Sequence, residues 1–361
     1  MKAIILAGGR GTRLRPLTHD NPKGLVPMVT RPFIEYQIEL LRTHGIHRIV
    51  LSLNYMAPEF SRRLQDGARW GVSIEYAVED VPLGTAGAIK NCETCLGGER
   101  VLVLNGDVLT DVDLGRLIAE HEERGSDVTI ATVTVDDPAA YGLVLVDSTG
   151  LVTGFLEKPG WDEVAVNTIN AGIYVIEPSI IADLPQGREI SFEREVIPAL
   201  LAKGAAVRAH ASRGYWLDIG TLRNYLKAHM DILDRRIDVM IPGRKVGRGV
   251  WSGKNAVVHR TARLAGPVVM GHHVAIQARA EVGPRVVLGH GCSVGEGAHV
   301  SESVLHDGVQ VGKGAKVRRC IVAAAARIGD ACRLDSMVVA PSSVVGAGTR
   351  VDPELSAPVA G

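Results

Sequence analysis

The run Leu6-Ala7-Gly8-Gly9-Arg10-Gly11-Thr12-Arg13-Leu14-Arg15-Pro16-Leu17-Thr18, followed by Pro22-Lys23, is the densest grouping of residues able to hold phosphate. Glycines let backbone N–H groups approach phosphate oxygens with no Cβ in the way. Arg13 adds a fixed guanidinium charge and Lys23 a mobile ammonium. The run leaves the strand-like segment Lys2–Ala7 directly, so in a parallel sheet it opens into the crevice where ligands bind. A tight strand-to-helix turn with solvated Arg is the plainer alternative. The spacing Gly-Gly-x-Gly-Thr-Arg lacks the helix expected straight after a dinucleotide fingerprint, and it is not a Walker A loop.

Asn105-Gly106-Asp107 closes the apolar strand Val101–Leu104 at its carboxyl end, where a carboxylate faces the same crevice; a turn-forming Asp is the alternative. Pro82-Leu83-Gly84-Thr85-Ala86-Gly87-Ala88 reads, taken alone, as a turn with Thr at a helix start. Glu157-Lys158, taken alone, is a solvated charge pair. Cys92 and Cys95 form a lone C-x2-C, but zinc needs two more ligands and none is near in sequence. Residues three apart on a helix share a face, so these cysteines read as core. His272, His273, His290, His299 and His306 raise the possibility of acyl transfer with a His base. No inserted loop frames such a site, and solvated or turn-lining histidines are the expectation.

These groups need a scaffold. Lys2–Ala7, His47–Leu53, Ser73–Val78, Val101–Asn105 and Asp127–Val135 read as strands bounded by Gly, Pro or Asn. Between them Pro32–His44 has Pro at the first helical position, Phe33, Tyr36, Ile38 and Leu41 inward, and Gly45 just past the end. Ala57–Asp66, Thr85–Leu96 and Asp113–Arg124 are further helices. The alternation predicts an α/β, Rossmann-like domain over residues 1–235, with a mostly parallel sheet covered by helices.

Residues 236–257 form a connector, and from Val258 a six-residue period begins. Its leaders are Val258, Leu264, Met270, Ile276, Val282, Leu288, Val294 and Val300, and the fourth residue after each is small or aliphatic. Val311-Gly312, Ile328-Gly329 and Val345-Gly346 then recur every 17 residues, three hexads less one. One inward aliphatic per short strand predicts a parallel β-helix over 258–353, with 354–361 as a tail. The segment resembles the left-handed hexapeptide-repeat helix, in which three hexads complete a triangular coil.

The 361 residues, at 46% hydrophobic and 4% aromatic, predict two or three domains with cores of Val, Ile, Leu and Ala. With 40 Lys+Arg against 40 Asp+Glu, the chain lacks the basic excess that binds polynucleotides. Five cysteines are too sparse for a disulfide framework and point to a reducing cytoplasm. The apolar start is too short for a signal peptide, and no run approaches the ~20 apolar residues of a membrane span.

The Gly8–Thr18 loop with Pro22-Lys23, in this order with the other segments, resembles the sugar-1-phosphate nucleotidyltransferases, also called sugar-nucleotide pyrophosphorylases. The likeness runs from the first strand to about residue 230, and the hexapeptide domain resembles that of the long members. It implies transfer from an NTP to a sugar 1-phosphate, giving an NDP-sugar and pyrophosphate. By resemblance, Leu6, Ala7, Gly8, Gly9, Gly11, Thr12, Arg13, Lys23, Glu79, Gly84 and Thr85 bind nucleotide, with Glu79 at the pairing edge of the base. A carboxylate there accepts the two donors of guanine, where thymine or uracil would suit Gln better. Asp107, with Asp218 of Trp216-Leu217-Asp218-Ile219-Gly220-Thr221, is the implied Mg²⁺ pair. Glu157 and Lys158 of Phe155-Leu156-Glu157-Lys158-Pro159, Asn170 of Asn167-Thr168-Ile169-Asn170-Ala171-Gly172-Ile173-Tyr174, and Tyr141-Gly142 are implied on the sugar-phosphate side. Arg13, Lys23, Asp107 and Asp218 are the implied catalytic set.

The likeness favours GTP with mannose 1-phosphate; glucose 1-phosphate with dTTP or UTP is the alternative. A non-catalytic scaffold of the same plan is a third reading, disfavoured by the complete set of motifs. Gly24 departs from relatives that often carry Pro or Ala after the lysine. The exposed end of a β-helix must be capped or paired, so self-association through that domain is expected, with no nucleic-acid or membrane partner.

Overall fold

The computed structural model describes residues 1–160, 162, 164 and 166–351. The expected tail, 354–361, lies outside the described residues. Two compact units result: one of Met1–Arg10, Pro22–Gly24 and Ile34–Asp218, the other of Gly11–Asn21, Leu25–Phe33 and the chain from Ile219 onward. Among the described residues no helix is long and apolar enough to cross a membrane.

In the first unit, Ala3, Ile4 and Ile5 are fully buried in succession, so both faces of the strand Lys2–Leu6 are covered. It pairs in parallel with Val101–Asn105 on one side and Arg48–Leu53 on the other, and Ser73–Val78 continues the parallel run. Leu6 stands opposite both Ser52 and Asn105, so these strands end at one level. Beyond Val101–Asn105 the sheet turns antiparallel through Thr168–Ile176, which brings in Gly142–Val146 with Val152–Glu157, and Val128–Thr134 with Val207–Ala211. Ile173 is opposite Leu104, so Asn170–Gly172 falls at the carboxyl end of the central strands.

Two expected helices differ in detail. The first spans Ile34–Thr43, with Ile34, Tyr36, Ile38 and Leu41 buried. Pro32 instead pairs with Pro27 in a two-residue hairpin whose turn, Val29-Thr30, has positive φ at both positions. The helix expected over 85–96 breaks at Cys92 into Gly84–Asn91 and Glu93–Leu96. Cys92 is fully buried and burial pushes its thiol up to about 12, as a core cysteine requires.

In the second unit, three six-stranded parallel stacks form a prism whose interior is aliphatic; one of them carries Arg244–Gly247 as an additional antiparallel strand. Val268 pairs with Val286, a step of 18, and Val286 with Ser303, a step of 17. The residue is lost at one corner only, between the His299–Ser301 and Ser303–Leu305 strands and their successors. Positive φ at Glu302, Arg319 and Ser336 turns the chain at those shortened corners. His272 and His290 stack at 4.8 Å, and their Nδ1 atoms accept the backbone N–H groups of Lys254 and His272, as turn-lining histidines do.

His306 is not of that kind, because it is 6% exposed and hydrogen-bonded through Nε2 to the Tyr225 hydroxyl at 2.9 Å. Burial drives its pKa down to about 4 and that of His229, whose Nδ1 accepts from Val29 N–H, down to about 3. A neutral buried His binds its proton only in the unfolded chain below pH ~6.5, so stability is present above that value and falls as pH drops toward 4. Thermal melts across pH 7 to 5 are expected to show a falling Tm, with a shallower fall in His306→Gln; an equal slope contradicts this.

Candidate active site

The parallel strands end in chemistry-bearing residues. Leu6 and Ala7 leave the first strand with Ala7 N–H on the Ser52 carbonyl at 2.9 Å, and Gly106 N–H holds the Leu6 carbonyl at 2.9 Å. This last bond places Asp107 beside the start of the glycine loop. A Cβ on Gly8 would lie 3.2 Å from the Asn54 nitrogen, whereas one on Gly9 would meet nothing within 4 Å. The backbone at Gly9 is therefore open to a ligand. Gly11, Thr12 and Arg13 belong to the second unit, where Gly11 has φ 61 and opens a short 3-10 turn over Thr12–Leu14. The Thr18 hydroxyl donates to the Gly11 carbonyl at 2.8 Å, and Arg13 is exposed.

Lys23 Nζ donates to Asp107 Oδ2 at 2.7 Å, with the side chains 13% and 32% exposed. Gly24 is buried, and a Cβ there would lie 3.0 Å from the Phe60 ring, which is the packing reason for glycine after this lysine. Asp218 lies on Trp216–Asp218, antiparallel to Val108–Thr110, and stands opposite Val108, the residue next to Asp107. The two carboxylates thus sit on adjoining strand ends. Asn105 adds a buried Oδ1 with no hydrogen-bond partner. No group of three or more His, Cys, Asp or Glu suited to a metal occurs among the described residues. Two carboxylates completed by phosphate oxygens and water fit Mg²⁺, which is usually held in that way.

On the base side, Glu79 follows Ser73–Val78 and is 8% exposed. Its Oε1 accepts from Ser52 Oγ at 2.9 Å and its Oε2 from Leu83 N–H at 3.1 Å, and burial raises its pKa. Gly84 has φ +68, and a Cβ there would lie 2.5 Å from the Ile190 carbonyl oxygen. The demand for glycine at this position thus comes from Ile190. Gly84→Ala combines left-handed strain with that clash, so a loss of about 2–4 kcal/mol in denaturant unfolding is expected; a loss under ~1 kcal/mol contradicts it. Thr85 does not cap the helix. Its Oγ accepts from Phe192 N–H at 2.7 Å and its proton goes to Glu193 Oε2 at 2.6 Å.

On the opposite side, Gly142 pairs with Glu157, and Lys158 N–H donates to the Tyr141 carbonyl at 3.2 Å. A Cβ on Gly142 would lie 2.8 Å from Glu157 Oε2, so the glycine lets the carboxylate lie flat against the neighbouring strand. Burial first, and the Glu193 charge second, raise the Glu157 pKa. Lys158 is exposed with φ 50, its Nζ 3.9 Å from Glu157 Oε1. The Tyr141 ring meets Trp216 edge-on at 5.2 Å, and Trp216 Nε1 donates to the Ala171 carbonyl at 2.9 Å, tying this loop to the Asp218 strand.

The structure therefore brings Lys23 to Asp107, Asp218 beside them, and Tyr141, Gly142, Glu157 and Lys158 to one another. Asn170 and Thr85 meet through Tyr174, which ends the sugar-phosphate segment but carried no role of its own, and through Glu193, which sequence reasoning did not single out. Ser52, which holds Glu79, was also missed. Its signal was a lone hydroxyl among the buried aliphatic residues that follow Arg48 in the strand Arg48–Leu53.

A nucleotidyl transferase family model matches residues 2–235, and a GMPPB C-terminal domain model matches 264–358. The chain is similar to a UTP–glucose-1-phosphate uridylyltransferase of Synechocystis sp., 35% identical over 85% of this chain and 83% of that protein. It is also similar to a mannose-1-phosphate guanylyltransferase of Mycobacterium tuberculosis, 36% identical over 84% of this chain and 79% of that protein. Among solved structures, HddC from Yersinia pseudotuberculosis complexed with GMP-PN matches at 32% identity with a TM-score of 0.55, over 63% of this chain and 97% of that one. The chain belongs to the nucleotidyl transferase family. Within it, the chain falls among the sugar-1-phosphate nucleotidyltransferases in which a β-helix follows the catalytic domain.

Proposed function

We propose that the enzyme joins GTP and mannose 1-phosphate to give GDP-mannose and pyrophosphate. The observation that carries the choice of GTP is Glu79, a buried carboxylate at the strand end beside Gly84-Thr85, with acceptor capacity beyond its bonds to Ser52 and Leu83. Guanine offers two adjacent donors to such a group. The mannose-1-phosphate guanylyltransferase relative supports the pair, and the uridylyltransferase relative keeps glucose 1-phosphate with UTP as the competing pair.

The sugar phosphate is already anionic near neutral pH, with a second pKa of about 6, so no general base is needed. One of its oxygens bonds to the α-phosphorus of the NTP, and the bond from that phosphorus to the bridging oxygen breaks, releasing pyrophosphate. The protein's work is to align two polyanions and offset their charge. Lys23 acts at the α-phosphate, Arg13 at the β- and γ-phosphates, and Lys158 at the sugar phosphate. Glu157 and Asn170 accept and donate to sugar hydroxyls, with Tyr141-Gly142 closing that side. Asp107 and Asp218 would hold Mg²⁺, which would supply positive charge to offset the phosphates. The five cysteines are free thiols, in keeping with a cytoplasmic enzyme, and self-association through the β-helix belongs to the same reading.

Glu79→Gln tests the base assignment. It replaces one acceptor oxygen with a donor, so kcat/KM for GTP is expected to fall about 10–100-fold, as for lost hydrogen bonds to a charged group, while UTP or dTTP use rises relative to GTP. An unchanged ratio of GTP to UTP use contradicts it.

A further inference from the structure

We propose that Glu193 is a positioning residue that ties the base side of the site to its sugar side, an inference that rests on the roles of Thr85 and Asn170 given above. It lies in Phe192–Val196, a five-residue π-helical turn, a rare conformation that recurs at functional sites. Ser191 caps this turn, its Oγ accepting from Arg194 N–H at 3.1 Å and donating to Glu193 Oε2 at 3.0 Å.

The directions of the bonds follow from donors that cannot be reversed. Gly172 N–H donates to Asn170 Oδ1 at 2.9 Å, so the Asn170 amide nitrogen faces the Tyr174 hydroxyl at 2.6 Å. That hydroxyl accepts, and its own proton goes to Glu193 Oε1 at 2.9 Å. Phe192 N–H donates to Thr85 Oγ at 2.7 Å, so the Thr85 proton goes to Glu193 Oε2 at 2.6 Å. Two chains of hydrogen bonds, one from each side of the site, end on the same carboxylate. Tyr174 is 1% exposed, and burial and the Glu193 charge hold its phenol protonated, so it stays a donor.

Only an acceptor-only group can terminate both chains. The anion fixes the amide orientation of Asn170 on one side and the rotamer of Thr85 on the other, so each presents its remaining polar atoms in one arrangement. Gln at 193 supplies a donor to a hydroxyl that already needs to donate, which inverts or breaks one arm. Low-dielectric networks of this kind lose more than one pairwise bond when the shared member changes.

Steady-state kinetics on full-length protein, with GTP and mannose 1-phosphate each varied, separate the arms. Tyr174→Phe cuts the sugar arm and is expected to raise KM for the sugar phosphate about tenfold, with KM for GTP within about twofold. Thr85→Val is expected to do the reverse. Glu193→Gln is expected to raise both, and adding Tyr174→Phe to it to raise the sugar-phosphate KM by less than the product of the single effects. A Glu193→Gln protein with wild-type KM values overturns the proposal, as does one that loses Tm alone. Should Glu193→Gln fail to fold, Tyr174→Phe decides: an unmoved sugar-phosphate KM overturns the proposal. Wild-type protein that releases no pyrophosphate with any NTP and sugar 1-phosphate overturns the underlying reading instead, a result distinct from an active wild type with an indifferent Glu193→Gln.

Discussion

Lys23→Ala is expected to lower turnover at saturating substrates by about 10²–10³-fold, the cost of losing one electrostatic stabiliser of a developing anion. The 2.7 Å bond from Lys23 to Asp107 Oδ2 holds the ammonium at the carboxyl ends of the central strands. Pro22–Gly24 is a three-residue piece of chain set into the first unit, and buried Gly24 lies against Phe60, so the lysine is carried on a packed support. Removing the side chain leaves Asp107 partly solvated, and the fold is expected to survive with a small change in Tm. Rapid-quench measurement of the chemical step checks this. Turnover within about threefold of wild type at saturation contradicts the assignment.

Asp107→Asn is expected to cost as much, about 10²–10³-fold in turnover, with a distinguishing sign. It removes one of two carboxylates on adjoining strand ends and, on the proposed Mg²⁺ assignment, would leave Asp218 as the single anionic oxygen ligand. The Mg²⁺ concentration giving half-maximal turnover should rise about tenfold or more, because a hard cation loses a charged ligand. Lys23→Ala removes a competing cation from Asp107, so that concentration should stay level or fall. A Mg²⁺ titration of both variants separates the two. An unchanged Mg²⁺ requirement in Asp107→Asn contradicts the metal assignment.

The parallel half of the first unit was legible because its three inner strands, Lys2–Leu6, Arg48–Leu53 and Val101–Asn105, are buried on both faces and read as near-continuous apolar runs, while the edge strand Ser73–Val78 buries only Ile74 and Ala77. Ser73–Val78 and Val101–Asn105 fall on the expected residues, and Lys2–Leu6 and Arg48–Leu53 are each one residue shorter. The β-helix was legible for another reason: a stacked coil repeats one inward aliphatic per strand, and the register Val294 to Val311 to Ile328 to Val345 follows the period of 17. The corner that drops the residue was not, since any of three turns could shorten without disturbing the leaders. In the antiparallel half, Val128–Thr134 falls within the expected Asp127–Val135, and the other strands were read only through their motifs. Gly142–Val146 and Val152–Glu157 form a local hairpin with no helix between them to mark its limits, and Thr168–Ile176 owes its pairing to strands distant in sequence. Glu193 was illegible for the same kind of reason. Nothing in the residue types of Phe192-Glu193-Arg194-Glu195 separates one acid from the other, and only a tertiary π-turn directs one carboxylate at Thr85 and Tyr174. At Gly84 the structure adds a neighbour that residue types do not disclose, the Ile190 carbonyl oxygen 2.5 Å from where a Cβ would lie.

Pyrophosphate release from purified protein, with GTP, ATP, UTP and dTTP each paired with mannose 1-phosphate and glucose 1-phosphate in the presence of Mg²⁺, tests the central claim most directly. GTP with mannose 1-phosphate is expected to give the highest kcat/KM and to yield GDP-mannose in equal amount to pyrophosphate. A higher kcat/KM for UTP or dTTP with glucose 1-phosphate, or no pyrophosphate from any pair, would contradict it.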